Sequence, residues 1–482
     1  MNTLLIIDNS SRPASSAATF ERCNPVNGQL VTTSAAATPA DAEAAVASCA
    51  AAFPGWAATA PSERRDILLK AADLLDQRAA SLIEQMSIET GASMPWCGFN
   101  ARLASGMLRE AAGLTTQVKG EVIPGNKLGM LAMALRRPAG VVLSIAPWNA
   151  PIILAVRSFC TALACGNTVI LKASEMSAGT QYLLAQVMVD AGLPPGVLNF
   201  ITNAPADSGA VAEAMIAHPA VRRVNFTGST RTGRLVAATC AKYLKPALLE
   251  LGGKAPMIVL ADAQIDHAVR AAAFGAYMHQ GQICMSTERI VIDERVADEF
   301  AEKLAAKARS MKAGAPGTAD APLGALVDAG SCRKVQALID DAVAKGAVLR
   351  VAGTTDGAVM GPSLLDHVTP DMTIYYEESF GPVVCIVRVK DADEAVRVSN
   401  DTEYGLSSAI FTRDVALALQ LAQRLDFGCC HINGPTVHDE AQMPLGGMKA
   451  SGYGRFGGLP GIHEFTEVQW VSIEDPAQHY PI

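Results

Sequence analysis

Cys284 stands in the run Gly281, Gln282, Ile283, Cys284, Met285, Ser286, between an Ala-rich helical stretch and an apolar strand. A thiol at such a junction can face a cleft with its own backbone N–H free to donate, as an acyl-transfer nucleophile requires. With 11 cysteines in the chain, the competing reading is a small buried hydrophobe. Glu250 ends the apolar run Ala247 to Leu249 and is followed by Leu251, Gly252, Gly253 and Lys254. A carboxylate at the end of a buried strand has a raised pKa and can serve as a general base near neutrality. An ion pair with Lys254 is its alternative.

Pro147, Trp148, Asn149, Ala150 and Pro151 join a strand to a helix. There Asn149 either aims its amide into the cleft as an oxyanion donor or caps the helix ahead of Pro151. The strand Thr168 to Leu171 runs into Lys172, Ala173, Ser174 and Glu175. A carboxylate just past a nucleotide-binding strand can take both ribose hydroxyls and repel a 2′-phosphate. Phe226, Thr227, Gly228, Ser229, Thr230 and Gly233 form a glycine-and-hydroxyl turn into a helix, suited to phosphate through backbone N–H groups and the helix dipole. It lacks the Gly-x-Gly-x-x-Gly spacing of the dinucleotide fingerprint.

Positioning these groups takes alternating strands and helices. From Gly140 onward the apolar periodicity predicts strand 141–146, helix 152–164, strand 168–172, helix 178–191, strand 197–201, helix 207–217 and strand 223–227, a doubly wound parallel sheet. A second alternating series follows, with strand 257–260, helix 265–279, strand 289–293 and helix 296–311, and later helix 333–345 and strands 382–389, 408–411 and 430–433. The first 120 residues read as mostly helical, clearest at 41–52, 62–78 and 100–116. Gly120 to Arg137, punctuated by Pro124, Gly125 and Gly129, suits an exposed arm or hairpin.

Composition narrows the class. At 482 residues the chain can hold several cores, and 39 basic against 47 acidic residues give a formal charge of −8, against nonspecific nucleic-acid binding. The most apolar stretch, Val141 to Cys165, is broken by Pro147, Asn149, Pro151 and Arg157, so no membrane span is expected. No basic n-region precedes the first apolar residues, and the odd cysteine count points to free thiols, so a cytoplasmic protein is expected. No cluster has metal-ligand spacing, so no metal is expected.

The texts and order of these stretches resemble the aldehyde dehydrogenase superfamily, from Asn24 and Pro25 to the closing run Pro444 to Gly457. The resemblance implies an α/β, aldehyde dehydrogenase-like fold. A Rossmann-type cofactor domain would span 1–119 and 139–250, an α/β catalytic domain 251–464, and a small oligomerisation arm 120–138 with 465–482. It implies Cys284 as nucleophile, the Asn149 amide and the Cys284 N–H as oxyanion donors, Glu250 as the base that activates water, and Lys172 on a ribose hydroxyl and in proton traffic. Trp148, Lys172, Glu175, Gly228, Ser229, Leu251, Glu378 and Phe380 would hold the cofactor, expected to be NAD with NADP as a lesser substitute. Relatives that pass the acyl group to coenzyme A usually lack the signature carboxylate, so Glu250 implies hydrolysis.

Gln282 to Arg289 and His431 to Gln442 resemble bacterial vanillin, salicylaldehyde and benzaldehyde dehydrogenases, implying a small aromatic aldehyde as substrate. Arg157 lies about two helical turns past Asn149 and can meet a phenolic or carboxylate oxygen, or form a domain-interface ion pair. Trp96 can stack on a substrate ring or pack in the core. Ala150 leaves room for a planar ring, and Ile283 and Met285 flank the nucleophile. The arm and the alternating Val468, Trp470 and Ile473 resemble intersubunit strands, so a homodimer or tetramer is expected. The alternatives are an aliphatic or semialdehyde substrate, a catalytically silent binding or structural protein of the same fold, and a cysteine hydrolase pairing Cys284 with a histidine. None of the 8 His sits in a hydrolase signature.

Overall fold

A computed structural model of the chain describes residues 1–318, 321–476, 480 and 482. Two twisted sheets are joined by the link Glu250 to Lys254. The first is eight-stranded. Its parallel middle runs, in spatial order, Ala247–Glu250, Val221–Thr227, Val141–Ile145, Thr168–Lys172, Leu198–Ile201. Val141–Ile145 and Thr168–Lys172 are buried at every position, as unbroken apolar runs in a sheet covered on both faces require. From Val141–Ile145 the chain builds outward through Thr168–Lys172 and Leu198–Ile201, then crosses back to add Val221–Thr227 and Ala247–Glu250 on the other side. Loops leaving the strand ends at that reversal diverge and open a crevice.

The flanks of this sheet are antiparallel. Leu5–Ile7 pairs with Leu198–Ile201, and Gly452–Tyr453 pairs with Ala247–Glu250, setting Gly452 opposite Glu250. By sequence, residues 452 and 453 were expected in the catalytic domain, 251–464; their hydrogen bonds complete the first sheet. Gly452 has φ +105°, and a Cβ there would lie 2.0 Å from the Leu249 carbonyl oxygen, so only glycine allows this approach.

The second sheet is seven-stranded, in the order Val348–Val351, Ser363–Asp366, Val383–Val389, Thr287–Asp293, Ala255–Val259, Ser407–Phe411, Cys429–Ile432. It is parallel except where Val348–Val351 meets Ser363–Asp366, and an apolar cluster covers each face. The first sheet turns carboxyl ends toward the central cleft, at Ile145, Thr227 and Glu250. The second turns amino ends toward it, with Ala255 following the link, Thr287 following Cys284 and Val383 following Phe380.

Helices pack both sheets. Pro151–Ala164 is buried at every position, so Arg157, its one charged residue, must find a partner inside. Pro39–Ala58 starts at a reciprocal capping box between Thr38 and Asp41. The N-terminal region carries four helices as expected in kind, but Ala79–Thr90 was not foreseen, and short strands within residues 2–35 precede them. The helix expected to reach His279 ends at Tyr277, because His279 and Gln280 take φ 49° and 55°, outside the right-handed helical region. The arm is a three-stranded sheet: Thr466–Ile473 pairs with Leu131–Pro138, which pairs with Glu121–Ile123. Residues 477–479 and 481 of the expected tail lie outside the described residues. All 11 cysteines are free. Among the described residues no helix is long and apolar enough to cross a membrane, and no group of His, Cys and carboxylates could hold a metal ion.

Candidate active site

Cys284 lies in a cleft of about 240 Å³ between the two sheets, lined also by Trp148, Asn149, Glu250, Glu378 and Phe380. Four stretches far apart in sequence thus converge where the switch point predicts a ligand. Gln282 fixes the turn that carries the thiol. Its side-chain amide donates to the carbonyls of His279 (3.3 Å) and Ala325 (3.4 Å), and its oxygen accepts from Val327 N–H (2.9 Å). The link passes directly against this turn: a Cβ on Gly253 would lie 2.2 Å from the Cys284 carbonyl oxygen. Burial, then the negative charge of Glu250, pushes the Cys284 thiol well above its usual range, and Arg157 opposes them.

Glu250 is 1% exposed, and neither carboxylate oxygen has a hydrogen-bond partner. Burial lifts its carboxyl to about 7, while the Cys284 thiol and the Arg157 guanidinium pull it down and Asp439 pushes it up. Such a group exchanges protons readily near neutral pH. The alternative partner, Lys254, is taken: its ammonium pairs with Glu288 at 2.8 Å.

Asn149 does not cap the following helix, whose N-cap is Ala150. Its Nδ2 donates to the Gln282 carbonyl (2.9 Å) and its own carbonyl accepts from Trp96 Nε1 (3.0 Å), so the amide is held at the cleft from two directions. One Nδ2 proton remains for an oxyanion. Trp96 itself stands behind Asn149, 4% exposed, stacked on His279 with ring centroids 5.0 Å apart and on Phe99 at 5.5 Å. Ala150, Ile283 and Met285 are buried in the same apolar cluster. Arg157 takes the ion-pair form of its two readings, bonding Asp439, whose other oxygen is buried without a partner.

On the cofactor side, Trp148 and Phe380 meet edge to face at 5.8 Å and 84°. Glu378 accepts from Gly253 N–H (2.8 Å), and burial lifts its carboxyl to about 7. Gly228 N–H donates to the Glu250 carbonyl (3.1 Å), tying the glycine turn to the strand of the base. Ser229 caps the helix Thr230–Lys242, whose first turn carries no acidic residue, so its positive dipole end is not neutralised. Leu251 is buried, packed where a Cβ on Gly233 would touch it. Burial lowers the Lys172 pKa against the charge of nearby Glu175, and its ammonium donates to the Ala173 carbonyl (3.2 Å). A helix N-terminus with no acidic residue in its first turn, a buried ammonium beside a half-buried carboxylate, and a second carboxylate next to an aromatic edge fit the phosphates, ribose and ring of a dinucleotide.

Three neighbours of these residues, Asp439, Lys334 and Glu288, were not foreseen. Asp439 partners Arg157, and Lys334 donates to the Glu378 carbonyl (2.8 Å). Glu288 and Lys254 form a buried pair beneath Glu378 and Phe380. Glu288 did leave a signal, as a charge inside the wholly buried strand Thr287–Asp293. The others arise from contacts between distant segments.

The model of the aldehyde dehydrogenase family matches residues 12–471. A vanillin dehydrogenase of Pseudomonas fluorescens is 58% identical over 478 residues, 99% of each chain. A benzaldehyde dehydrogenase [NAD(+)] of Pseudomonas putida is 39% identical over 460 residues, 95% of this chain and 94% of that one. The crystal structure of a salicylaldehyde dehydrogenase from Pseudomonas putida G7, complexed with salicylaldehyde, superposes with a TM-score of 0.98 at 47% identity, covering 100% of both chains. Sequence, fold and the convergence of Cys284, Glu250 and Asn149 in one cleft agree: the chain belongs to the aldehyde dehydrogenase family, oxidoreductases that act on aldehydes with a nicotinamide cofactor.

Proposed function

We propose that this protein oxidises an aromatic aldehyde to the carboxylic acid, with NAD as its preferred oxidant and a thioester on Cys284 as the covalent intermediate. The observation that carries the chemistry is Glu250, buried and without a hydrogen-bond partner, beside Cys284 in the cleft. The aromatic substrate is supported by relatives named for vanillin and benzaldehyde and by the neighbour complexed with salicylaldehyde.

Glu250 takes the thiol proton and the Cys284 thiolate adds to the aldehyde carbon, giving a thiohemiacetal oxyanion. The Asn149 amide and the Cys284 N–H hold that charge as it develops, which is when a donor accelerates the reaction. When bound, the nicotinamide supplies the acceptor for the hydride that leaves the former aldehyde carbon. Glu250 passes the thiol proton on to solvent and, as carboxylate again, takes a proton from water as the water oxygen attacks the thioester carbonyl, and the C–S bond breaks to release thiolate and acid.

Lys172 and Glu175 hold the adenosine ribose hydroxyls, and the Glu175 charge disfavours a 2′-phosphate. Glu378 takes the nicotinamide ribose, and Phe380 and Trp148 flank the ring. A reduced Cys284 suits a cytoplasmic location, and the exposed apolar arm suits a homodimer or tetramer. Vanillin, salicylaldehyde, benzaldehyde, succinic semialdehyde and hexanal, each assayed with NAD and with NADP by absorbance of the reduced cofactor, test the reading. It expects the highest kcat/KM with an aromatic aldehyde and NAD; a higher value with hexanal or succinic semialdehyde would overturn the substrate class.

A further inference from the structure

Glu288 lies one strand position beyond the Cys284 turn, 4% exposed, and its two oxygens do different work. Oε2 accepts from the Lys254 ammonium at 2.8 Å, and that ammonium also donates to the Glu377 carbonyl at 2.8 Å. Oε1 accepts from Ser379 N–H (3.0 Å), Ser379 Oγ (2.8 Å) and Phe380 N–H (3.2 Å). One buried ion pair therefore grips consecutive peptide groups from Glu377 to Phe380.

The segment needs that grip. Phe380 has φ +51°, in the left-handed region where a bulky side chain is strained and persists only when its surroundings over-determine it. Holding this conformation sets the Phe380 ring edge to face with Trp148 at 84°, while Glu378 turns back to Gly253 N–H. Lys254 and Gly253 belong to the link that carries Glu250, and Glu288 to the strand that starts after Cys284. The carboxylate thus ties the cofactor-side segment to both reacting groups.

We infer that Glu288, acting through its pair with Lys254, is the positioning residue for the nicotinamide half of the cofactor site, fixing Glu378 and Phe380 in the conformation that receives the ribose and ring. The inference rests on the reading of those two residues as cofactor contacts. It assigns a specific task to a buried charge that a purely structural pair would not have. Glu288 touches neither substrate nor cofactor.

The test compares E288Q with E378Q and F380A in the full-length protein, measuring NADH binding by fluorescence and KM and kcat for NAD and for the aldehyde. E288Q leaves Lys254 buried beside an amide and can fail to fold. K254M/E288M, which removes both charges and keeps apolar volume, is therefore measured alongside. The expected result is at least a tenfold rise in Kd and KM for the cofactor in E288Q or the double variant, with the aldehyde KM within twofold. If the folded variants bind NADH within twofold of the parent while E378Q or F380A weakens it, the role of Glu288 is overturned and the cofactor reading stands. If E378Q and F380A also bind normally, the cofactor reading itself fails. A fall in kcat and Tm with the cofactor KM unchanged marks Glu288 as structural only.

Discussion

The indole N–H of Trp96 donates to the backbone carbonyl of Asn149 at 3.0 Å, so a tryptophan outside the cleft holds the residue proposed as its oxyanion donor. N149A is expected to lower kcat by ~10²–10³, the cost of losing one preorganised oxyanion donor. W96F keeps most of the stacking on His279 but removes the hydrogen bond. Its kcat/KM is expected to fall about fivefold, in line with a neutral hydrogen bond of ~1 kcal/mol. Steady-state kinetics decides, and W96F at parental kcat/KM would show that Asn149 is held without it.

Glu250 with its pKa near 7 predicts an acid limb in kcat, activity rising with pH through about 7 as the base loses its proton. In E250Q the thiol loses the base that deprotonates it and the water loses its activator, so both the burst of reduced cofactor and the steady-state turnover should fall. The same shift bears on stability. A carboxyl whose folded pKa lies above the unfolded one binds more protons when folded, so its penalty is absent below the unfolded pKa and complete above about pH 7. From an ordinary 4.5 to about 7 that penalty is ~3 kcal/mol. E250Q should therefore raise Tm at pH 8 and change it little at pH 4.5, by calorimetry at both values.

Arg157 and Asp439 pull the Glu250 pKa in opposite directions. R157M should move the acid limb of kcat to higher pH and D439N should move it lower, in pH profiles taken at saturating substrates. D439N also strands a buried guanidinium and should cost ~3–5 kcal/mol of stability, read by urea unfolding. Limbs that stay in place in both folded variants would separate the pair from the base electrostatically.

Trp470 is 74% exposed on the arm strand Thr466–Ile473, with Val468 and Ile473 each 56% exposed on the same strand. W470E is expected to shift the protein toward monomer in light scattering at micromolar concentration. A monomeric parent would remove the role assigned to the arm.

Reading the sequence singled out Cys284, Glu250 and Asn149 because Glu250 ends a strand and the other two lie in turns between regular elements, where apolar period breaks. The parallel strands were legible for the same reason, as short runs without polar interruption. The helix Ala79–Thr90 was not, because its apolar stripe Ala79, Leu82, Ile83 and Met86 covers only two turns and its buried face continues through Gln85, Ser87, Glu89 and Thr90. Glu89 takes Thr32 and the start of the helix Ala178–Asp190 as partners, contacts that exist only after folding. The left-handed backbone at His279 and Gln280 was equally hidden, since neither is a residue type that announces it. Asp439 lies 282 positions from Arg157, beyond anything a local pattern encodes.

The pairing of Gly452 with Glu250 has a consequence for the order of synthesis. The strand that ends in Glu250 has Val221–Thr227 on one side, but its other edge is closed by residues made long after it, at Gly452 and Tyr453. A nascent chain that has emerged only as far as the second sheet therefore holds the base on an open edge, the least protected position in a sheet. Catalytic competence is therefore expected to wait on Gly452, and a ribosome-bound chain stopped before that residue is expected to be protease-sensitive at Ala247–Glu250 and inactive.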